Sequence, residues 1–203
     1  MADEALPATW SEPPWRSALD VQRHLDAIPR DATISGVFLS ALFEMALARG
    51  VKLVPRRDRY LPFRRYPLRE HAELLVEAST SCWPREPLRQ GLRRIGRGSP
   101  KALVQSMLGR IVLGSVEGPR DIVRAMARSY PMHMDPGRLE VIELGPGELV
   151  VRLRDISSFL DCHHVGVFEG VLRHAGVEGD VSIHSHSPKD ADFLLRFRVP
   201  PPQ

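Results

Sequence analysis

Three consecutive runs near the C-terminus decide the fold: Phe159-Leu-Asp-Cys-His-His-Val-Gly-Val-Phe-Glu-Gly-Val-Leu-Arg-His-Ala-Gly176, Asp180-Val-Ser-Ile-His-Ser-His186 and Asp192-Phe-Leu-Leu-Arg-Phe-Arg-Val199. The first reads as a short helix and the other two as strands. Alternate residues of a strand share a face, so Phe193, Leu195 and Phe197 form one apolar stripe. With Phe159, Val165, Phe168 and Leu172 from the helix, that stripe either fills a core or lines a cavity for a small apolar ligand. Gly166 and Gly170 stand four apart and leave one helix face nearly smooth. Such a face packs closely on the chain's own sheet or on a partner helix, in a protein partner or a second copy of the chain.

Upstream of the helix, Arg138 to Leu144 and Glu148 to Arg154 flank Gly145-Pro-Gly147, a hairpin signal. The periodic segments before Pro136-Gly137 are helical, with an arginine- and aromatic-rich connector over Pro55 to Pro67. Helices are expected over Asp20 to Ile28, Ser35 to Gly50, Leu68 to Cys82, Leu88 to Ile95 with a stop at Gly96, Lys101 to Leu113, and Arg120 to Tyr130. Residues 1 to 18 hold Pro7, Pro13 and Pro14 with Trp10 and Trp15 and read as a flexible tail with Trp10 or Trp15 as its packing element. The organisation is therefore α+β: a helical N-terminal two-thirds packed on a small antiparallel sheet crossed by one C-terminal helix. It divides into the tail (1–18), one domain (19–199) and a Pro-rich end (200–203).

The totals suit a globular protein, with 203 residues, 43% hydrophobic, 26% charged and a formal net charge of +3. No run approaches the roughly 20 apolar residues that span a bilayer. The acidic, Pro-containing N-terminus lacks the basic start and apolar middle of a signal peptide. Two cysteines, Cys82 and Cys162, make no disulfide framework. The chain reads as cytoplasmic. Its cations are nearly all arginine, Lys52, Lys101 and Lys189 being the lysines.

Several blocks carry a resemblance: Thr33-Ile-Ser-Gly-Val-Phe-Leu-Ser-Ala-Leu42, Tyr66-Pro67, Pro87-Leu-Arg-Gln-Gly-Leu-Arg-Arg-Ile-Gly96, Val141-Ile-Glu-Leu-Gly-Pro146 and Val167-Phe-Glu-Gly-Val-Leu172. They resemble a myxobacterial-restricted family of unknown function about two hundred residues long. Its C-terminal half is similar to the 4-vinyl-reductase-type ligand-binding domains, the haem-based nitric-oxide sensors and the trafficking subunits that enclose an acyl chain. The resemblance implies a helical layer over a small sheet with an apolar cavity between them. It implies a sensor or adaptor and no enzyme.

Four further chemistries can be weighed from the residues. Cys162, His163, His184 and His186, with His164 beside them, offer zinc its nitrogen and sulfur donors. His184 and His186 project from one strand face, but Cys162, His163 and His164 fan out around a helix, so at most two converge. Zinc is thus the alternative reading, with the Cys162/His184/His186 group as its site. A haem sensor needs an axial histidine on a helix over an apolar pocket, for which His71, His133 and His174 are the candidates. The Tyr-x-Ser-x-Arg propionate motif of the nitric-oxide sensors is absent, the nearest run being Arg128-Ser-Tyr-Pro-Met-His-Met134, so haem is not expected. Arg56, Arg57, Arg59, Arg65 and Arg69, interleaved with Tyr60, Phe63 and Tyr66, could hold an anion, a nucleotide or a cyclic dinucleotide. The Arg65/Arg69 spacing recurs at Arg89/Arg93 and Arg93/Arg97, as chance predicts for so arginine-rich a chain, and nucleic acid is disfavoured. Finally, Cys162 has no well-placed base, because sequence neighbours on a helix diverge by about 100°, so no catalytic residue is expected. The expectation is a non-enzymatic signalling or adaptor module that needs no cofactor.

Overall fold

The computed structural model describes residues 5–105 and 118–198. In chain order it builds α1 (Val21–Asp26), β1 (Thr33–Ser35), α2 (Gly36–Leu47), β2 (Arg65–Pro67), α3 (Leu68–Cys82), α4 (Leu88–Gln105), α5 (Gly118–His133) and β3 (Met134–Asp135). There follow β4 (Arg138–Gly145), β5 (Glu148–Arg154), a π-helical turn (Leu160–His164), α6 (Val165–His174), β6 (Gly179–Ser185) and β7 (Ala191–Phe197). The class is α+β, with the hairpin and both terminal strands where their alternation puts them. No helix among the described residues is long and apolar enough to cross a membrane.

The main sheet is antiparallel with strand order β4-β5-β7-β6. In its centre Val151 stands opposite Phe193 and Leu149 opposite Leu195, all four fully buried, so one face is a continuous apolar floor. Helix α6 lies on that floor, the rings of Phe168 and Phe193 meeting with centroids 4.8 Å apart. The other flank of α6 is taken by α4. A Cβ built on Gly166 would stand 2.1 Å from the Arg93 carbonyl oxygen, and one on Gly170 2.6 Å from that of Arg97. The smooth glycine face is therefore covered by a helix of the same chain, and neither the sheet nor a partner occupies it. Ion pairs from Arg93 and Arg97 to Glu169 flank the crossing.

The same crossing explains why α4 does not stop at Gly96. Glycine there ends no helix; a Cβ on it would approach the His163 carbonyl oxygen to 2.1 Å, so its missing side chain is a packing requirement. The helix continues through Pro100 to Gln105, which takes in the first residues of the separate helix expected at Lys101 to Leu113. The rest of that expectation lies outside the described residues.

A second sheet, β2-β1-β3, is only two or three residues wide on each strand. Ile34 at its centre pairs with Tyr66 on one side and Met134 on the other. Its strands abut helices: β1 runs directly into α2, β2 into α3, and α5 directly into β3. It thereby gathers the ends of three helices at one point. Residues 5–18, expected to be a flexible tail, lie against the domain. Ser11 and Ile183 exchange both backbone hydrogen bonds at 3.0 Å along the edge strand β6. The Arg93 guanidinium sits 3.4 Å from the Trp15 ring centroid, and Arg89 donates to the Ser17 carbonyl at 3.1 Å. An edge strand presents unpaired backbone groups, and here the N-terminal segment meets them.

Candidate functional site: a cavity ringed by histidines

Helices α2, α3, α4 and α5, together with the π turn and the start of α6, enclose a cavity of about 140 Å³. Its wall is mainly aliphatic and aromatic, with Ile34, Val37, Leu75, Ile122 and Phe168 among the contributors. Among the described residues, none that lines it is Asp, Glu, Lys or Arg. Four histidines do line it: His71, His133, His163 and His164.

The route by which each arrives differs. On α3, Leu68, His71, Leu75 and Ala78 follow the three-and-four spacing of one helix face, and all are buried, so the period itself carries His71 inward. His133 is the last residue of α5, set by the junction with β3. His163 and His164 come from the π turn. Phe159, before it, has φ 49° and ψ 54°, a left-handed conformation uncommon for a bulky side chain. The amides of Cys162 and His163 both donate to the Phe159 carbonyl, at 3.2 and 2.9 Å. The wide turn adds a residue to the helical circuit, and Leu160, Cys162, His163 and His164 are all buried.

Most of these polar groups lack partners. His164 donates from Nδ1 to the Ser158 carbonyl oxygen at 2.9 Å. The Nδ1 atoms of His71, His133 and His163, and the Ser158 hydroxyl oxygen, are buried with no hydrogen-bond partner. A buried polar atom left unpaired costs about 1–3 kcal/mol. Burial also holds the rings neutral. Desolvation, with repulsion from a charge on His164 behind it, pushes His71 down to about 4. His164 falls to about 4 by burial, although its bond to Ser158 opposes the shift. His163 is held well below its ordinary value by burial and then by His164 and His71, and His133 is lowered by burial and by Arg65. Neutral imidazoles with a free nitrogen accept or donate hydrogen bonds and ligate metals.

The other residues singled out from the sequence fall elsewhere. Of the apolar set, Phe168 alone lines the cavity. Phe159, Val165, Leu172, Phe193 and Leu195 pack into the core, and Phe197 packs half-buried at its margin. The Cys162/His184/His186 group does not assemble: among the described residues no three His, Cys, Asp or Glu side chains are placed to hold a metal ion. Cys162 is sealed in the core against the Phe159 carbonyl. His184 and His186 stand on the sheet edge with ring centroids 4.7 Å apart. His184 donates to the Thr9 carbonyl at 2.9 Å, and His186 lies 3.3 Å from the Asp192 carboxylate. Most of the arginine set is engaged by its own chain: Arg56 with Glu73, Arg57 with Glu70, Arg65 with the Pro131 carbonyl, and Arg69 with Glu73 and the Leu25 carbonyl. Arg56, Arg57 and Arg59 nonetheless border an open surface depression with Arg64 and Tyr66.

What the sequence reading missed is the wall contributed by α2 and, apart from His133, by α5. His71 carried a signal, as a titratable residue within an otherwise apolar helix stripe; Ser158, in an irregular segment, carried none.

The fold is similar to that of solved H-NOX domains. An H-NOX protein from S. oneidensis in its Fe(II)NO ligation state superposes with a TM-score of 0.66 at 12% identity, covering 82% of this chain and 100% of that one. An unliganded Fe(II) H-NOX protein from K. algicida gives 0.61 at 10% identity over 84% and 100% of the two chains. An oxygen-binding H-NOX domain related to soluble guanylate cyclases, in its oxygen complex, gives 0.58 at 13% identity over 81% and 93%. By sequence, residues 27–197 match the family described as "Protein of unknown function (DUF2378)", and the chain belongs to that family. No curated protein matches it.

These neighbours correct the expectation that excluded haem, because solved domains sharing the fold are recorded in Fe(II) and Fe(II)NO ligation states. The donor chemistry here agrees with that correction. Of the three candidate axial ligands, His71 and His133 both reach the cavity and both carry an unpartnered Nδ1, whereas His174 is exposed on the last turn of α6. His163 adds a third free ring nitrogen. A cavity of about 140 Å³ would have to widen around a macrocycle, since pockets for large ligands run to roughly 300–1,000 Å³.

Proposed function

We propose that the protein is a non-enzymatic ligand-sensing module whose ligand occupies the histidine-ringed cavity. One observation carries the reading: His71, His133 and His163 line a mainly apolar cavity, and each keeps a buried Nδ1 without a hydrogen-bond partner. A ligand that meets those nitrogens offsets the cost of burying them, and so binds the folded state in preference to the unfolded one. The likeness of fold to domains recorded with nitric oxide and with oxygen supports a sensing role. Haem belongs among the ligands the reading admits; His71, His133 or His163 would supply its axial nitrogen, and haem would bring a diatomic-gas site. The ligand-bound state would then be read by a protein partner or a second copy of the chain.

Native mass spectrometry of the purified full chain, with an absorption spectrum of the same sample, tests this. A mass excess over the 22.8 kDa polypeptide that vanishes on denaturation is expected, with a Soret band if the excess is haem. A clean polypeptide mass, unaltered after incubation with haem and with small apolar compounds, would sink the proposal.

A further inference from the structure

The cavity's chemistry narrows the ligand beyond the sensing role, and the narrowing rests on the cavity being the sensing site. We infer that it selects an uncharged molecule the size of a single ring, with an apolar body and one hydroxyl-like group that both donates and accepts a hydrogen bond.

The size follows from the volume. At about 140 Å³ the space is close to an engineered apolar cavity of roughly 150 Å³ that takes up benzene. The absence of ionic side chains from the described wall sets the charge. A carboxylate, phosphate or ammonium group would lose its hydration and gain no counter-ion. The polar group follows from the orphaned atoms. His71, His133, His163 and Ser158 are 5%, 6%, 8% and 3% exposed, and each leaves one polar atom unpaired. A neutral imidazole Nδ1 is a donor in one tautomer and an acceptor in the other, and a serine hydroxyl is both. A ligand hydroxyl answers either tautomer; a pure hydrocarbon answers neither. The remaining hydroxyls on the described wall do not compete, because Ser99 and Ser129 already donate to the Ile95 and Met126 carbonyls of their own helices and Tyr130 to the Met134 sulfur.

The test uses the full chain with three probes of nearly equal size: phenol, toluene and benzoate. Calorimetric titration should give phenol roughly tenfold tighter binding than toluene, the yield of about one net hydrogen bond, and no detectable benzoate. In a His71→Leu and His163→Leu double variant the phenol preference over toluene should fall toward unity while toluene binding persists. That persistence shows that the variant is folded and the cavity intact. Toluene binding as tightly as phenol, or benzoate binding at all, overturns the inference and leaves the sensing role standing. Haem binding with a Soret band, displacing phenol, likewise overturns the single-ring class and keeps the sensing role. If neither the three probes nor haem binds, both fall.

Discussion

On strand β6, His184 and His186 sit at the rim of the sheet and each has a partner, the Thr9 carbonyl for one and the Asp192 carboxylate for the other. Around the cavity, His71, His133 and His163 are buried and each keeps a nitrogen with nothing to bond. The side chain is the same and the cost differs: the rim pair stays hydrated, whereas the inner set gives up water and recovers little. A domain selected only for stability would fill that space with leucine. An unsatisfied group kept inside is therefore better evidence of a site than a satisfied one at the surface, however crowded with histidine the surface segment reads.

Acidification should separate the two sets most widely. In the unfolded chain a histidine takes up its proton near 6.5, whereas His71 and His164 in the folded chain do so only near 4. Between those values the unfolded state binds more protons, so stability is fully present above about pH 6.5 and is lost as pH falls toward 4. His71 and His164 together should cost on the order of 5 kcal/mol between about pH 7.5 and 4.5, read by urea unfolding. His71→Leu should lessen that slope; an unchanged slope would refute the burial of a neutral ring there.

Next in size is the crossing that holds the π turn. Gly166→Ala drives a methyl group onto the Arg93 carbonyl and should cost about 3 kcal/mol, against no cost for Gly98→Ala on the same α4, where nothing lies within 4 Å. Equal effects in thermal melts would mean that the helices do not meet backbone to backbone. Smaller again, His71→Leu in the ligand-free protein at about pH 7.5 should raise stability by about 1 kcal/mol, since it removes an unpaired buried nitrogen. The smallest effect has the opposite sign: His184→Ala, which breaks the bond to Thr9, should lose about 0.5 kcal/mol.

Legibility in the sequence tracked periodicity. The β4–β5 hairpin and the Phe193 stripe alternate over enough residues to announce themselves, and α3 is bounded by Pro67 and the break before Pro84. The β2-β1-β3 sheet has strands too short to show a period, though it pins α2, α3 and α5 around the cavity. Gly96 reads as a helix stop, because sequence does not distinguish a glycine that ends a helix from one that lets another helix touch it. The site is legible in part: His71 and His133 read as candidate haem ligands, whereas the gathering of cysteine and histidine along the chain points to Cys162, His184 and His186. Adjacency along the chain misled there. The π turn seals Cys162 in the core, and His184 and His186 are held at the sheet rim by Thr9 and Asp192, contacts no local pattern encodes.

The glycine crossing between α4 and α6 also has a mechanical meaning. Side chains between two helices act as a cushion, since a rotamer change absorbs a small displacement before it spreads. At Gly96, Gly166 and Gly170 there is no cushion, and the α6 backbone bears directly on the carbonyls of α4. A push on the π turn from inside the cavity is delivered to α4 as a rigid shove. Arg89 and Arg93, which pair with Asp161 and Glu169 at that crossing, also hold Ser17 and Trp15, on a segment clipped by two hydrogen bonds to the outermost strand.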